Sequence, residues 1–275
     1  MKLRRALQKR LPNDRFLKTV LTGCFRIGQD KENPLRGNFL ASGLRELIGH
    51  VLHSLAPDKE VRACVWFVQA KDTPTVTRQQ RASYIVRAGL PDNFVSNTIK
   101  IDVRKYSKPL IEVMDRLSKA THVRPDTILT KGTKIRQMVQ DVLLGIDQLL
   151  QAAADSREAI NKAVADVMHD AVFEKLISET IQELDELSTH TMVEGHQIEE
   201  VSVTNLDSVE ISYRVTGEVE VELQYGSNSD VDNDIGFRQD DSYPYVVTVT
   251  CAVAKPMEVR ADDLNVAIDN RSFFE

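Results

Sequence analysis

Apolar residues recur at helical spacing through the first two thirds of the chain. A stripe of leucine, isoleucine and valine after Pro34 predicts a helix that ends before Pro57. Thr77 predicts the start of a helix that runs through Arg87, and Asp102 predicts the start of another that ends near Lys119. Helical periodicity also covers residues 126–150 and 156–187. The residues of the first stripe are Leu40, Leu44, Leu47, Ile48, Val51 and Leu55.

Other segments have the alternation that is typical of β-strands. In the last third of the chain, apolar and polar residues alternate with period two, and Thr216-Gly217 predicts a turn between two strands. A further strand is predicted in the run PYVVTVTCAV. Residues from about Ile198 to Glu275 should therefore form a small antiparallel β domain. The apolar run VRACVWFVQ, at 61–69, predicts one short strand within the helical part.

Helices followed by strands are typical of an α+β protein and not of interleaved βαβ units. We expect a basic, mainly helical N-terminal domain with one or a few short strands over residues 1–135. A long, acidic helical connector should follow over 136–192, and a small, acidic, antiparallel β domain over 193–275. A chain of 275 residues is long enough to bury two hydrophobic cores.

Charge is distributed very unevenly along the chain. Residues 1–136 carry 27 Lys and Arg against 12 Asp and Glu, a net charge of +15. Residues 137–275 carry 8 against 29, a net charge of −21. A basic half is typical of a protein that binds a polyanion, and the alternative is an ordinary solvated surface on each half. An acidic β domain would bind nucleic acid poorly, so we expect it to have another role, such as shielding the basic surface.

Other features of the sequence narrow the class of protein. The three cysteines are isolated, which favours a reducing cytoplasm and argues against a zinc-thiolate site. No apolar run approaches the roughly 20 residues of a membrane span, and no secretory signal is recognisable at the N-terminus. Motifs for nucleotide hydrolysis, Rossmann cofactors and zincin catalysis are missing, so we expect no cofactor and no metal. An amphipathic N-terminal arm is predicted by Leu3, Leu7 and Leu11.

The leading catalytic candidate is an Arg–His pair with five residues between its members, Arg116 and His122. Pro125 predicts that the preceding helix stops near His122, and a helix C-terminus favours the imidazolium ion. His122 can then transfer a proton while Arg116 stabilises a phosphate. Such a pair suffices for RNA cleavage without a metal, because the 2′-hydroxyl is the nucleophile. The alternative is that His122 only caps the helix and Arg116 is a solvated surface residue.

A second candidate lies on the leucine-rich helix. Glu46, His50 and His53 fall within about 60° of one another on a helical wheel, on the side opposite the leucines. Arg45 lies about 140° from His50, so an Arg–His pair here would need a partner helix or a second subunit. The alternative is an ordinary polar helix face with a Glu–His pair.

A basic stretch interleaved with aromatic residues is the third candidate. Arg and Lys neutralise phosphates and aromatic rings stack on unpaired bases, so we expect nucleic acid to bind here, and docking on the acidic half is the alternative. The expected nucleic-acid ligands are Arg78, Arg81, Arg87, Arg104, Lys105 and Arg124.

The acidic loop at 229–236 resembles a calcium loop. Ile235, however, lies where such a loop needs glycine, which favours a solvated loop.

Seven segments carry a family resemblance: Asn33–Phe39, Leu44–Glu46, Trp66-Phe67, Thr77–Arg81, Leu117–Pro125, Glu222–Ser227 and Ser242–Tyr245. Together they resemble the predicted PIWI-associating nucleases of prokaryotic defence islands, over most of the chain. The spacing of Arg116 and His122 also resembles the Arg-x4–6-His signature of HEPN ribonucleases, which are helical and usually assemble their site from two subunits. Leu117 departs from that pattern, because many HEPN proteins have a polar residue there. The strand predicted around Trp66 is a second departure.

The resemblance implies a cytoplasmic nuclease of a bacterial anti-phage system, with RNA favoured over DNA. His122 would be the general acid or base and Arg116 would stabilise the phosphate. We also expect a homo-oligomer, a partner protein from the defence system and no membrane association. The alternative is a non-catalytic sensor or adaptor that binds nucleic acid and recruits a partner through its β domain. The reserve catalytic set is Arg45, Glu46, His50 and His53.

Overall fold

A computed structural model describes residues 14–71 and 73–275. The described residues up to Ser156 form one compact unit, the helical unit, and Arg157–Glu275 form a second, the sheet unit. The predicted α+β fold is confirmed. None of the helices described is long and apolar enough to cross a membrane. The arm predicted at Leu3, Leu7 and Leu11 lies outside the described residues.

Helices make up the helical unit, and two of them begin where the sequence predicts. The side chain of Asp102 accepts a hydrogen bond from the Lys105 N–H at the start of one helix. Thr77 and Gln80 form a capping box at the start of another. The order is α1 (Arg15–Gln29), α2 (Arg36–Leu55), α3 (Asp58–Ala63), α4 (Arg78–Arg87), a π-helix (Phe94–Thr98), α5 (Val103–Ala120) and α6 (Gly132–Ser178), which continues into the sheet unit.

The leucine stripe of α2 forms the core of the helical unit. Leu47, Ile48 and Val51 are at most 1% exposed, and α2 packs against α1, α4 and α5. Burying an aliphatic side chain of this size contributes roughly 1.5–3 kcal/mol. Outside the stripe, Glu46 is exposed and Arg45 is half-buried.

The strand predicted over 61–69 is wrong. Asp58–Ala63 forms α3, and the described part of the helical unit contains no strand. The Trp66 indole N–H donates to the Ala88 carbonyl oxygen at 2.7 Å, and the guanidinium carbon of Arg87 lies 5.1 Å from the Trp66 ring centroid. A β-rich run becomes a strand only beside another strand, and here the neighbouring elements are helices.

Helix α6 is one helix of 47 residues, whereas the sequence predicted separate stretches over 126–150 and 156–187. Residues 151–155 (QAAAD) include three alanines, which are strong helix formers, so nothing local ends the helix there. The predicted stretch beyond Ser178 continues only as a short helix, α7 (Gln182–Asp185). The predicted connector at 136–192 is thus divided between the two units.

The sheet unit contains four antiparallel strands in the order β1-β2-β3-β4. A short helix, α8 (Asn228–Asp232), lies between β2 and β3, and short 3-10 helices flank β4. In α8 the Asp230 carboxylate accepts hydrogen bonds from the Ser227 backbone N–H at 2.8 Å and hydroxyl at 2.7 Å, so the acidic loop contains a capped helical turn. The strands are β1 (His190–Leu206), β2 (Glu210–Tyr225), β3 (Phe237–Ala252) and β4 (Asn265–Ile268).

The turn predicted at Thr216-Gly217 is wrong. Gly217 lies in the middle of β2, opposite Ile198 of β1 and Tyr245 of β3. A Cβ atom on Gly217 would lie 2.1 Å from the Gln197 carbonyl oxygen and 2.6 Å from the Tyr245 hydroxyl. The glycine therefore permits a close approach of neighbouring groups and does not reverse the chain.

One face of the sheet is buried and the other is exposed. Asn161 of α6 accepts a hydrogen bond from the Val203 N–H of β1 at 3.0 Å, which ties this part of α6 to the sheet. On the exposed face, β2 carries Glu218 and Glu220. The buried residues of β2 are Ile211, Tyr213, Val215, Val219, Val221 and Leu223, and those of α6 within the sheet unit include Ile160, Val164, Met168 and Val172.

Candidate nucleic-acid site

Residues from two separately predicted constellations line one cavity in the helical unit. Its volume is about 240 Å³. A cavity this small suits a single phosphate group better than a whole organic ligand, which usually needs ~300–1,000 Å³. The lining consists of Arg45, Glu46, Gly49, Leu52 and His53 from α2, Arg78 and Arg81 from α4, and Met114 from α5.

Local sequence signals position the α4 wall of the cavity. The Thr77 hydroxyl accepts a hydrogen bond from the Gln80 N–H at 3.2 Å, and the Gln80 side-chain oxygen accepts one from the Thr77 N–H at 2.8 Å. This capping box starts α4 at Arg78. Arg78 and Arg81 lie three residues apart, so they share one side of α4.

Arg81 is buried, and its guanidinium group serves the fold. It is 2% exposed and donates to the Ala56 carbonyl oxygen and to the Asp58 carboxylate. Ala56 is the C-cap of α2, so Arg81 satisfies a carbonyl at a helix end. The hydrogen bond from Arg81 also lowers the pKa of the Asp58 carboxyl group. We therefore assign Arg81 a structural role and not the phosphate contact predicted from the sequence.

Arg45 and Arg78 carry the accessible positive charges of the cavity. The Arg45 guanidinium donates to Glu46 at 2.7 Å and to the Thr121 hydroxyl at 3.4 Å. Arg78 lies 3.6 Å from the Asp115 carboxylate, and its side chain is 47% exposed. Exposed ion pairs of this kind contribute only about 0–1 kcal/mol, so a phosphate can replace either carboxylate at small cost.

His53 is the titratable base of the cavity. Partial burial lowers the pKa of its imidazole, the neighbouring Arg81 lowers it further, and Asp58 acts in the opposite direction. A histidine whose pKa lies below its ordinary value is mostly neutral at physiological pH and can accept a proton. The cavity therefore combines a proton acceptor with two accessible guanidinium groups.

His50 contacts α1 and is not part of the cavity lining. Its Nε2 lies 2.7 Å from the Asp14 carboxylate, and its ring centroid lies 4.7 Å from that of Phe16. Asp14 is the N-cap of α1, and the pKa of its carboxyl group is lowered by the Leu17 N–H and, to a smaller extent, by His50. The structure thus places His50 at a contact between α1 and α2, and its charge also contributes to the lowered pKa of His53.

The Arg–His pair predicted as the leading site lies around the end of α5. Arg116 donates to Asp141 of α6 at 2.8 Å. His122 follows the helix cap, Thr121, and is exposed. In the described part of the chain no hydrogen bond joins Arg116 to His122, whereas Arg45 contacts the residue next to His122. The structure therefore brings Arg45 to the segment that carries His122, while Arg116 is paired with Asp141.

A buried asparagine holds that segment in place. Asn38 is 1% exposed, and its side-chain amide donates to the carbonyl oxygens of Ala120 at 2.8 Å and Thr127 at 2.9 Å. Its side-chain oxygen accepts a hydrogen bond from the Leu129 N–H at 3.1 Å. Sequence reasoning missed Asn38, because on a helical wheel it lies outside the leucine stripe, about 20° from Arg45, and its burial depends on the packing of α2 against the segment after α5.

The other predicted nucleic-acid ligands fall into two groups. Arg87 is buried and donates to the Leu90 carbonyl oxygen and to the Asp92 carboxylate, so its role is structural. Arg104, Lys105 and Arg124 are exposed. These three side chains are available to phosphates.

Three carboxylates of the sheet unit lie close enough to share a metal ion. The side-chain oxygens of Glu194, Glu222 and Asp240 are within 4.8 Å of one another. Glu222 lies opposite Asp240 in the sheet, and Glu194 lies at an irregularity of β1. Arg238 is 3.6 Å from Glu222 and already supplies a counter-charge. We therefore assign no metal to this group.

Two family models match most of the chain. Both have the description "Predicted pPIWI-associating nuclease", and they match residues 8–146 and 153–274. The gap between the matches falls within α6 and close to the boundary between the two units. Comparisons with curated proteins and with solved structures give no match. The chain belongs to the family of predicted pPIWI-associating nucleases.

Proposed function

We propose that the cavity of the helical unit binds and cleaves one phosphodiester of a nucleic-acid strand. The convergence of His53 with Arg45 and Arg78 in one small cavity carries the proposal. Family membership supports a nuclease role. The net charge of +15 over residues 1–136 supports a polyanionic substrate.

Binding would depend on the accessible cations. Arg45 and Arg78 exchange their carboxylate partners for the oxygens of the scissile phosphate, which the guanidinium group can contact through two N–H donors. Arg104, Lys105 and Arg124 contact neighbouring phosphates of the strand. Arg81 stays with Ala56 and Asp58 and holds α2 and α4 together around the substrate.

RNA is the substrate that this set of residues fits best. Neutral His53 removes the proton from the 2′-hydroxyl, the 2′-oxygen attacks the adjacent phosphorus, and the bond from phosphorus to the 5′-oxygen breaks. His122 protonates the leaving 5′-oxygen, while Arg45 and Arg78 stabilise the charge of the transition state. The products are a 2′,3′-cyclic phosphate and a 5′-hydroxyl. The step needs no metal, and DNA lacks the nucleophile.

The test uses RNA and DNA strands of one sequence, with and without EDTA. We expect RNA cleavage that EDTA does not inhibit and products with 5′-hydroxyl ends. His53→Gln should slow cleavage by roughly 10²–10⁴-fold, as the loss of a general base usually does. Arg45→Ala should weaken both binding and cleavage. The matched control is His190→Gln, at an exposed position of the sheet unit.

Four results would contradict the proposal. Cleavage of DNA at a comparable rate would exclude attack by a 2′-hydroxyl. Loss of cleavage in EDTA would indicate a metal-dependent reaction. If His53→Gln cleaves as fast as the His190→Gln control, the base lies elsewhere. A protein that retards nucleic acid on a gel but cuts neither strand would instead be the non-catalytic sensor or adaptor.

We further propose that the nuclease acts in the cytoplasm as the effector of a bacterial anti-phage system. The family description supports a pPIWI protein as its associate. Phage protection in cells should be lost with His53→Gln and retained with His190→Gln. Light scattering of the purified chain tests the expected homo-oligomer, and a monomer at all concentrations would contradict it.

A further inference from the structure

A second cavity, of about 580 Å³, lies within the sheet unit between α6 and β1. One wall is a single side of α6, with residues at helical spacing from Glu158 to His169. The other wall is the segment His196–Val201 of β1. The cavity is therefore a groove between a helix and a strand, and we call it the α6–β1 groove.

The strand that borders the groove is an edge strand. In the order β1-β2-β3-β4, β1 pairs only with β2. An edge strand presents a row of backbone N–H and C=O groups that another extended segment can pair with. Asn161 accepts a hydrogen bond from the Val203 N–H at 3.0 Å, so beyond the groove a side chain of α6 already bonds to the backbone of β1. Between His196 and Val201 the strand borders the groove, and its register with β2 shifts between Ile198 and Glu200.

The rings of His169 and His196 line one end of the groove. The ring centroids of His169 and His196 are 4.3 Å apart, and the Phe173 ring stacks on His196 at 5.8 Å. His196 Nδ1 lies 2.9 Å from the Tyr245 hydroxyl, and its Nε2 lies 3.2 Å from the His169 carbonyl oxygen. Burial, and to a smaller extent the charge of His169, lowers the pKa of His196, while the hydrogen bond to the His169 carbonyl acts in the opposite direction, so the His196 ring is mostly neutral at physiological pH.

The groove is acidic. Four carboxylates and one lysine belong to its lining, namely Glu158, Asp166, Glu199, Glu200 and Lys162. Lys162 is paired with Glu158 at 2.6 Å, which leaves the other three carboxylates to attract a partner. A concave site with one sign of charge concentrates ligands of the opposite sign.

We infer that the α6–β1 groove binds an extended, arginine- or lysine-rich segment of a partner protein, which pairs with β1 as a fifth strand of the sheet. Main-chain hydrogen bonds to β1 supply affinity, as in other cases of strand addition. Alternate basic side chains of the segment reach the carboxylates and the histidine rings, since side chains of a strand alternate between its faces. This binding is independent of the phosphodiester site and goes beyond the proposed function.

The test measures the fluorescence anisotropy of a labelled nonapeptide of alternating arginine and valine, added to the full chain at fixed ionic strength. Asp166→Lys combined with Glu199→Lys should weaken binding by roughly tenfold or more, because both charges line the groove. The matched control, Asp232→Lys with Asp262→Lys, makes the same change of charge at two exposed positions of the sheet unit that do not line the groove. It should weaken binding by less than about threefold.

Two further peptides test strand pairing and charge. A peptide of the same composition with proline at its central positions should not bind, because proline lacks the N–H that pairing requires. A glutamate–valine peptide should not bind either. Equal losses in the two double variants, equal binding of the proline peptide, or no binding of the arginine–valine peptide would each overturn the inference. RNA cleavage should be the same in both double variants and the native chain.

Discussion

The side-chain amide of Asn38 donates to the carbonyl oxygen of Ala120 at 2.8 Å, across 82 residues of sequence. Ala120 is the last residue of α5, and the segment that follows it carries His122 and Arg124. Because Asn38 also bonds to Thr127 and Leu129, one buried side chain holds both ends of that segment. The placement of His122 beside α2 therefore depends on a residue that is itself buried.

Asn38→Leu should destabilise the chain and release the segment from Ala120 to Leu129. The carbonyl and N–H groups that Asn38 satisfies would lose their partner, at a cost of about 2–4 kcal/mol in the free energy of unfolding. Urea unfolding followed by circular dichroism measures this loss. Asn97→Leu, at an exposed position, is the control and should change stability by less than about 0.5 kcal/mol. Equal stability of the two variants would show that Asn38 is not an anchor.

Gly217→Ala should break the close approach at the middle of the sheet. The new Cβ would lie 2.1 Å from the Gln197 carbonyl oxygen, so either β1 or β2 must move. We expect a loss of roughly 2–4 kcal/mol, measured by thermal unfolding. The control is Gly23→Ala in α1, where an added Cβ would meet no atom within 4 Å beyond its chain neighbours and the backbone of its own helix, and it should raise stability by about 0.5–1 kcal/mol. A Gly217→Ala chain with native stability would contradict this account of the sheet.

Arg81→Met should alter how stability depends on pH. The pKa of Asp58 lies below its ordinary value of 3.8, mainly because Arg81 donates to it. A lowered pKa in the folded state stabilises that state above the ordinary pKa, and this contribution is lost as the pH falls through the acid range. Arg81→Met should remove the contribution of the pair, so the free energy of unfolding should fall less steeply as the pH is lowered through the acid range. We call this part of the pH dependence the acid limb.

At neutral pH the same variant leaves the buried Ala56 carbonyl oxygen without the Arg81 donor, at a cost of about 1–3 kcal/mol. Urea unfolding at a series of pH values measures both effects. Arg104→Met, an exposed arginine of α5, should change neither the stability at neutral pH nor the acid limb. A variant with the native acid limb would mean that Arg81 and Asp58 do not interact.

RNA cleavage should fall on the acidic side with the titration of His53. The pKa of His53 lies below its ordinary value of 6.5, so the neutral form persists into mildly acidic solution and activity should decline only below that pH. Asp58 raises the pKa of His53, so Asp58→Asn should move this decline to lower pH. The measurement is kcat/KM for RNA against pH, with Asp92→Asn as a control at the separate Arg87 contact. If the pH at which kcat/KM declines is unchanged in Asp58→Asn or is higher than in the native chain, His53 is not the base.

Sequence features that depend only on residues within one helical turn predicted their helices well. Thr77 and Asp102 cap α4 and α5 as expected, because a capping side chain bonds to an N–H group only a few residues away. All residues of the α2 stripe except the half-buried Leu55 are buried as expected, because a helix buries its apolar side in whatever fold it occurs. These predictions needed no knowledge of the rest of the chain.

Predictions that depended on a distant neighbour were wrong. Residues 61–69 have the composition of a strand but no strand beside them, so they form α3 and a loop around Trp66. Gly217 reads locally as a turn, yet its role is set by Gln197 and Tyr245 on the neighbouring strands. Neither circumstance is visible in a short window of sequence.

The candidate site was predicted in parts and not as a whole. Arg45, Glu46 and His53 were placed on one helix and Arg78 on another, but their shared cavity depends on the packing of α2 against α4. The burial of Arg81 could not be predicted either, because its acceptors come from the end of α2 and the start of α3. Spacing along the chain carries no information about such contacts.

Trp66, which is hydrogen-bonded to Ala88, is an intrinsic fluorescent probe of the protein. Trp66 is the single tryptophan of the chain, so all indole emission originates in the helical unit. The hydrogen bond to Ala88 and the guanidinium group of Arg87 over the ring set the environment of that emission. Loss of the sheet alone would change circular dichroism but leave the tryptophan spectrum as it is. The two units can therefore be followed separately in the intact chain, with no dye attached.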